Sequence, residues 1–510
     1  MTTRAERLLR PVRPHALGVD VSGAVNLVGR LITYFSLAFL FPTVLAVGYG
    51  DSVWPFLAAG AITAAFGWGL QRVTSGGEAI GAREGFLVVS LTWALAALAT
   101  SLPYMFAEPQ LRNPIDAYFE AMSGMTTTGS SVLTDVGALS KSIAMWRQFS
   151  QWLGGMGIVV LGLAVLPRLR VGGRQLVESE MPGPEYEPIA NSIRDTARRL
   201  WLVYVGLTAL MILILSIFGW TSVDPLMSPY QAAAHTFSAM PTGGFSPQPR
   251  SVEPFAPASQ WVITIFMVLA GANFALHYRV LRRRANPFRD EEFRLYLVVI
   301  LVASLILFLE LLRADIFSLG ETAVRHAVFQ VVSIMTTTGF ASTDFNQWPA
   351  LTGMTLVALM IIGGCAGSTG GAIKVVRHLL IGKLLIRELD QTVHREAVVP
   401  IRLNGKSVEE RTLRAVLAFG VIYVGLFMAG ALVLTIEAAR AGLEVTPFEA
   451  IAASATTLGN VGPAFGFAGP MGSFAPFSPF AKSVMILLMW MGRLEIIPVA
   501  VLLTRRYWRA

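Results

Sequence analysis

Long apolar runs, separated by short polar or basic segments, dominate this chain. A helix that crosses a membrane needs about 20 mostly apolar residues, because the hydrocarbon layer is about 30 Å thick. Runs near or above that length predict ten spanning helices, and therefore an all-α membrane protein. Their approximate ranges are 28–48, 53–71, 84–106, 146–166, 200–220, 259–281, 294–312, 351–385, 412–437 and 482–503.

Four shorter apolar stretches lie between some of these runs. They cover residues 114–128, 229–241, 321–337 and 446–457. Each is too short to cross the hydrocarbon layer and is more consistent with a re-entrant helix. A re-entrant helix enters the membrane and leaves it on the same side.

Composition agrees with a membrane protein. The 510 residues are 54% hydrophobic and 14% charged, whereas soluble globular chains carry roughly 25% charge. Cys365 is the one cysteine, so no internal disulfide can form.

The basic residues predict the orientation of the chain. Cytoplasmic loops carry an excess of Lys and Arg, and one set of alternate segments holds 31 of the 40 basic residues. These segments are 1–30, 71–85, 167–200, 279–294, 374–414 and 504–510. Both termini are therefore predicted to be cytoplasmic, and the net charge of +8 does not require a nucleic-acid partner.

A threonine–glycine phrase recurs after the short stretches. "MTTTGS" begins at Met125 and "MTTTGF" at Met335; "MPTGGF" and "TTLGN" are degenerate copies. Aligning the copies on Gly129, Gly243, Gly339 and Gly459 gives one unit four times: span, short helix, loop, span. The predicted divisions are a cytoplasmic N-terminus 1–27, two extra spans 28–82, and four repeats at 83–170, 171–282, 283–390 and 391–510.

Four such units can surround one pore. Each short helix would direct the partial negative charge of its C-terminus towards the axis, and rings of backbone carbonyls can replace the hydration shell of a cation. Irregular backbone at membrane depth is tolerated where it is buried in protein or lines a water-filled path. The predicted cation filter comprises Thr126, Thr127, Thr128, Gly129, Pro241, Thr242, Gly243, Gly244, Thr336, Thr337, Thr338, Gly339, Thr456, Thr457, Leu458 and Gly459.

The eighth run contains "GGCAGSTGGA", which cannot remain a stable straight helix. We call residues 363–373 the glycine-rich loop and predict that it breaks the helix and gates the pore. The alternative is close helix packing through GxxxG spacing. The candidate gate residues are Gly363, Gly364, Gly367, Ser368, Thr369, Gly370, Gly371, Lys374 and Arg493.

The two basic gate candidates each have a second interpretation. Lys374 either biases the gate or extends to the cytoplasmic surface from a helix end. Arg493 lies within the last apolar run, where an arginine is expensive and usually functional. It either places a positive charge beneath the filter or forms a structural ion pair with an acid on another helix. On the short helices, His235 is interpreted as a packing residue, whereas Glu120 either attracts cations or supports the helix.

These motifs together resemble the Trk/Ktr/HKT superfamily of potassium transporters. The resemblance rests on the four loops, on "GGCAGSTGGAIKVVR" from Gly363 and on "WMGRLEIIP" from Trp490. The two extra N-terminal spans favour the bacterial Trk-type membrane subunit. The resemblance implies a homodimer in the bacterial inner membrane, a cytosolic ring of nucleotide-binding RCK-type subunits, potassium selectivity through the filter glycines, and an arginine at the gate, which matches Arg493.

Three classes of function follow. The favoured one is potassium uptake through a gated pore, driven by the membrane potential, with potassium as cargo and no organic cofactor on this chain. A sodium- or proton-coupled symporter, or a sodium-permeable member, would share these residues. A membrane enzyme or scaffold is disfavoured, because the sequence offers no catalytic constellation and no Walker loop.

Overall fold

The computed structural model describes residues 19–75, 81–165, 193–283, 285–395 and 397–508, and their regular secondary structure is almost entirely helical. The first helices are α1 (Val21–Phe35), α2 (Leu40–Tyr49), α3 (Trp54–Val73), α4 (Ala82–Ala107), α5 (Pro114–Met125), α6 (Lys141–Val165), α7 (Ile193–Trp220), α8 (Pro229–Ala239), α9 (Pro257–Gly271) and α10 (Phe274–Leu281). A 3₁₀ turn, Ser36–Phe39, joins α1 to α2.

The second half continues in the same manner. Its helices are α11 (Glu291–Arg313), α12 (Glu321–Met335), α13 (Ala350–Ile361), α14 (Val375–Val393), α15 (Glu410–Ala441), α16 (Pro447–Gly459), α17 (Pro479–Arg493), α18 (Ile497–Leu502) and α19 (Arg505–Trp508). Between α14 and α15, strands β1 (Arg402–Leu403) and β2 (Lys406–Ser407) form an antiparallel hairpin.

Five helical segments of the described residues are long and apolar enough to cross a membrane. They are Val21–Tyr49, Arg83–Ala107, Ala197–Trp220, Glu291–Arg313 and Glu410–Ala441, and the bent pair α9–α10 would make a sixth. All six overlap predicted spans. The helical class is therefore confirmed, whereas the count of ten spans stays a prediction.

Two predicted spans are not single straight helices. The run at 259–281 bends by 101° between α9 and α10, because Ala272 is extended and the Asn273 side chain accepts a hydrogen bond from the Ala275 amide to start a new helix. The last run is broken after Arg493, so that arginine ends a helix instead of lying within one. The run at 351–385 is interrupted, as predicted, by the glycine-rich loop.

The four predicted re-entrant stretches are the helices α5, α8, α12 and α16. They contain 12, 11, 15 and 13 residues, or roughly 16–23 Å at 1.5 Å per residue, which is less than the membrane core. Asn113, Ser228 and Thr446 cap α5, α8 and α16, each followed by proline at the first helical position. Both features favour helix initiation at that point.

The short helices follow one another around a closed circuit. Each packs against the long helix before it: α4 with α5, α7 with α8, α11 with α12, and α15 with α16. The helix after each short helix packs against the next short helix: α6 with α8, α9 with α12, α13 with α16, and α17 with α5. The last of these contacts closes the circuit, which brings the four intervening loops together.

Candidate functional site

The loops after α5, α8, α12 and α16, which we call the four re-entrant loops, share one backbone conformation. In each, two residues with positive φ flank a third. The pairs are Thr127 and Gly129, Thr242 and Gly244, Thr337 and Gly339, and Asn460 and Gly462. Non-glycine residues rarely adopt positive φ, so this repetition identifies the matching positions in the four loops.

Hydrogen bonds give the same register. The middle residue of each triplet donates its amide to the carbonyl five residues earlier, at 2.7–2.9 Å. The donor and acceptor pairs are Thr128 and Ser123, Gly243 and Ser238, Thr338 and Ser333, and Val461 and Thr456.

The glycines join each loop to the next. A Cβ added to Gly129, Gly244 or Gly339 would come within 3 Å of the carbonyl oxygen of Gly243, Thr338 or Val461, respectively. A Cβ on Gly462 would lie 2.8 Å from the Thr128 carbonyl oxygen, which returns to the first loop. We call these four contacts the glycine ring. One open cavity reaches all four glycines.

Two alignment anchors chosen from the sequence are therefore wrong. In the second loop Gly244, not Gly243, occupies the position of Gly129. In the fourth, Gly462 occupies it, because α16 continues through Gly459. Thr456, Thr457 and Leu458 lie in the last helical turn of α16, and the loop triplet is Asn460 to Gly462.

The threonine hydroxyls bond within the protein. Thr126 and Thr336 each donate to a carbonyl four residues earlier, at 2.6 and 2.8 Å, and each pairs with the threonine two positions later. Pro241 takes the matching place in the second loop, one residue before Thr242, and offers no hydroxyl. The Asn460 side-chain amide donates to Thr128 Oγ1 at 2.9 Å and joins the first and fourth loops.

A buried ion pair supports the first loop, and sequence reasoning missed half of it. Arg147 of α6 contacts Glu120 of α5 at 2.7 Å, with exposures of 1% and 0%. Glu120 also accepts from the Val132 amide at 3.0 Å. Glu120 thus supports the short helix α5 and the loop after it. The sequence did not indicate a role for Arg147, because this residue lies at the edge of its apolar run. His235 bonds Ser246 Oγ at 2.9 Å, as expected of a packing residue.

The glycine-rich loop lies at the ends of three short helices, α8, α12 and α16. Thr369 Oγ1 donates to the Met240 carbonyl at 3.0 Å. The Gly371 amide donates to Thr337 Oγ1 at 2.7 Å, and a Cβ on Gly371 would come within 3 Å of the Gly459 carbonyl. The segment is not helical, so the alternative of GxxxG helix packing is wrong.

The remaining glycines let the glycine-rich loop pack closely. A Cβ on Gly363 or Gly364 would come within 3 Å of the backbone of Gly371 or Gly271, respectively. A Cβ on Gly370 would lie 3.1 Å from the Thr336 carbonyl oxygen. Gly367 has positive φ, and its carbonyl accepts from the Phe274 amide at 3.0 Å. Ser368 Oγ accepts from the Gly370 amide at 3.3 Å.

Arg493 connects the glycine-rich loop to the first repeat. Its guanidinium donates to the Thr369 carbonyl at 2.8 Å and to the Gly154 and Gly155 carbonyls of α6 at 3.0 and 2.9 Å. Lys374 is 6% exposed, and its Nζ donates to the Gly370 carbonyl. The interpretation of Lys374 as a surface-directed helix-end lysine is therefore wrong, because its charge is turned into the loop.

The break after Arg493 has an unusual backbone. Ile496 has φ 64° and ψ −53°, and the Ile497 amide donates to the Glu495 carbonyl at 2.6 Å. These values describe the rare γ-turn with positive φ, which is strained. Glu495 forms a buried ion pair with Arg377 of α14, which anchors the strained turn to the helix that follows the glycine-rich loop.

A fold of this kind, with four joined re-entrant loops beside a glycine-rich loop of irregular backbone, is suited to membrane transport of a cation. The family model for the cation transport protein TrkH matches residues 54–509, and the chain belongs to this family. The Trk system potassium uptake protein TrkH of Salmonella typhimurium is 38% identical over 95% of this chain and 98% of its own length.

Two further relatives agree. Escherichia coli K12 TrkH, also called a Trk system potassium uptake protein, is 37% identical over 95% of this chain and 98% of its own. The crystal structure of the potassium transporter TrkH from Vibrio parahaemolyticus superposes with a TM-score of 0.84 at 33% identity. It covers 96% of this chain and 100% of the Vibrio chain.

Proposed function

We propose that this protein takes up potassium through one selective pore formed by four pseudo-repeats, with ten spans in total. The observation that carries the proposal is the glycine ring, which joins the four re-entrant loops around one open cavity. The printed names of the relatives, which are potassium uptake proteins, support potassium as the cargo.

The glycine-rich loop is the proposed gate. It contacts the ends of three short helices, and Arg493 attaches it to α6. A cation leaving the filter would meet this backbone and the charges of Lys374 and Arg493. Opening requires the loop to move away from these contacts, so a partner that displaces the loop would increase conduction.

This partner is proposed to be a set of cytosolic nucleotide-binding subunits of the RCK type, bound to a homodimer in the bacterial inner membrane with both termini cytoplasmic. The naming of the relatives as parts of a "Trk system" is compatible with several components. The predicted cytoplasmic segment 167–200 falls mainly outside the described residues.

The membrane potential supplies the driving force. At 100 mV, inside negative, a monovalent cation gains about 2.3 kcal/mol on entry, which supports roughly 50-fold accumulation without ATP. Coupling of potassium to a proton or a sodium ion is the alternative.

Growth at low potassium tests the cargo. A potassium-uptake-deficient bacterium expressing this chain, alone and with its regulatory partner, should grow where the empty host does not. Purified protein in liposomes should then pass potassium in preference to sodium. Equal fluxes of the two ions would contradict the selective filter.

A further inference from the structure

One buried carboxylate joins the glycine-rich loop to the helix that follows it. Glu292 is the second residue of α11 and is 7% exposed. Its Oε1 accepts hydrogen bonds from the Ala366 amide at 2.6 Å and from the Val376 amide at 3.0 Å. Ala366 lies inside the loop and Val376 in the first turn of α14, so a single oxygen connects the two.

The other contacts of this part of the loop are between neutral backbone groups. The Cys365 amide donates to the Gly271 carbonyl at 2.8 Å, and the Phe274 amide donates to the Gly367 carbonyl at 3.0 Å. Glu292 Oε1 is the acceptor for two backbone amides at once, and a buried amide left without an acceptor costs about 1–3 kcal/mol. We infer that Glu292 is a positioning residue that holds the glycine-rich loop closed, an inference that rests on the proposed gate.

The helix turn that carries Glu292 is itself attached to the β1–β2 hairpin. Asn404, at the hairpin turn, donates its amide to Glu291 Oε1 and accepts from the Glu291 amide, both at 2.8 Å. Its side-chain nitrogen donates to Asp290 Oδ2 at 2.9 Å. Three consecutive acidic residues thus bind a hairpin on one side and the loop on the other, and displacement of the hairpin would move the carboxylate that holds the loop.

The chain contains its own reporter of loop position. Cys365 is the one cysteine in the sequence, lies next to Ala366 and is 1% exposed. Its rate of reaction with a water-soluble methanethiosulfonate measures how often the loop opens to water. The full chain, reconstituted in liposomes without a partner, allows this rate and the potassium flux to be measured on the same sample.

Three variants test the inference. Glu292→Ala should raise both the Cys365 modification rate and the potassium leak by about tenfold or more, since two backbone amides lose their acceptor. Glu292→Gln keeps an acceptor oxygen, so it should restore most of the protection. Asn404→Ala should have an intermediate effect. Glu310→Gln is the matched control, because Glu310 lies at the other end of α11 and pairs with Arg313 at 2.6 Å.

The outcomes separate this inference from the proposed function. If Glu292→Ala leaves the Cys365 rate at the wild-type value, Glu292 does not hold the loop. If the rate rises but the flux does not, Glu292 holds the loop and the gate role of the loop fails. If Glu292→Ala does not fold, Glu292→Leu decides, because it fills the same space without an acceptor oxygen. A Cys365 rate above that of Glu292→Gln supports the inference, and an equal rate overturns it. If only Asn404→Ala has the wild-type Cys365 modification rate, the hairpin does not influence the position of the glycine-rich loop.

Discussion

At the scale of single residues, a charged side chain and a glycine without a side chain contribute to the structure in different ways. The Arg493 guanidinium donates hydrogen bonds to three backbone carbonyls, those of Thr369, Gly154 and Gly155. Gly129 has φ 86° and faces the Gly243 carbonyl within 3 Å of where a Cβ would lie. The first residue holds two elements together, whereas the second lets two loops approach.

Arg493→Ala should increase potassium leak. Each hydrogen bond to a charged donor contributes about 1.5–3 kcal/mol, so loss of even one favours opening by about tenfold. The measurement is potassium efflux from liposomes without a regulatory partner. Arg313→Ala is the control, because the Arg313 side chain is 77% exposed. An Arg493→Ala protein that conducts no more readily than wild type would contradict the gate role.

Gly129→Ser should lower the preference for potassium over sodium. The added side chain must displace the Gly243 carbonyl and also strains a positive φ, so the first and second loops separate. Permeability ratios from liposome flux with each ion would measure the change. Gly48→Ser is a matched control, since a Cβ there meets nothing within 4 Å. An unchanged potassium-to-sodium permeability ratio in Gly129→Ser would contradict a role of the first loop in ion selectivity.

At the scale of elements, the four short helices are alike and their ends are not. Helices α5, α8, α12 and α16 all begin where the apolar stretches predict. However, α16 continues through Gly459 before its loop begins, while α5 and α12 end at the methionine before the first threonine. The fourth loop consequently uses Asn460 and Val461 where the first and third use threonines.

Gly462→Ala and Gly459→Ala should therefore affect different properties, ion selectivity in the first and thermal stability in the second. Gly462 has φ 113° and belongs to the glycine ring, so its substitution should reduce potassium selectivity. Gly459 lies in a helix, and a Cβ there would come within 2.7 Å of the Met360 carbonyl oxygen, so its substitution should lower thermal stability and leave the permeability ratio unchanged. Thermal unfolding and ion flux on both variants make the comparison. The reverse pattern would support the alignment on Gly459.

Apolar run lengths predicted the helices, the interruption at residues 363–373 and the four short helices. Register could not be predicted in two loops. Gly243 and Gly244 are adjacent, and only contact with the neighbouring loops distinguishes them. "TTLG", residues 456–459, resembles the threonine–glycine phrase in sequence but is part of helix α16. Arg147 and Glu292 lie at the edges of apolar runs. From the sequence alone, a charged residue at such a position is interpreted as part of an exposed loop, and only the structure shows its buried partner.

At the scale of the whole molecule, large apolar side chains are exposed at the surface, while polar residues of the four re-entrant loops are buried at the centre. Leu301 and Leu305 of α11 are 70% and 53% exposed, as is appropriate for contact with lipid. The polar residues Thr127, Thr337 and Asn460 are at most 1% exposed at the centre. This arrangement suits a protein whose solvent outside is hydrocarbon and whose cargo is charged.

The reversal potential should distinguish a pore from a symporter. With a tenfold potassium gradient, a potassium-selective pore reverses near 59 mV, since a tenfold ratio of a monovalent ion corresponds to 59 mV. Currents from the reconstituted protein would be measured with and without added proton and sodium gradients. A reversal potential that moves with either gradient would favour coupling.

The glycine ring also bears on the order of events during synthesis. Its first member is Gly129 and its last is Gly462, whose contact returns to Thr128. Contacts between such distant positions form late, since the intervening chain must be in place first. A ribosome that has inserted three of the four units has therefore made no closed ring, so the proposed pore would form only when the fourth unit arrives.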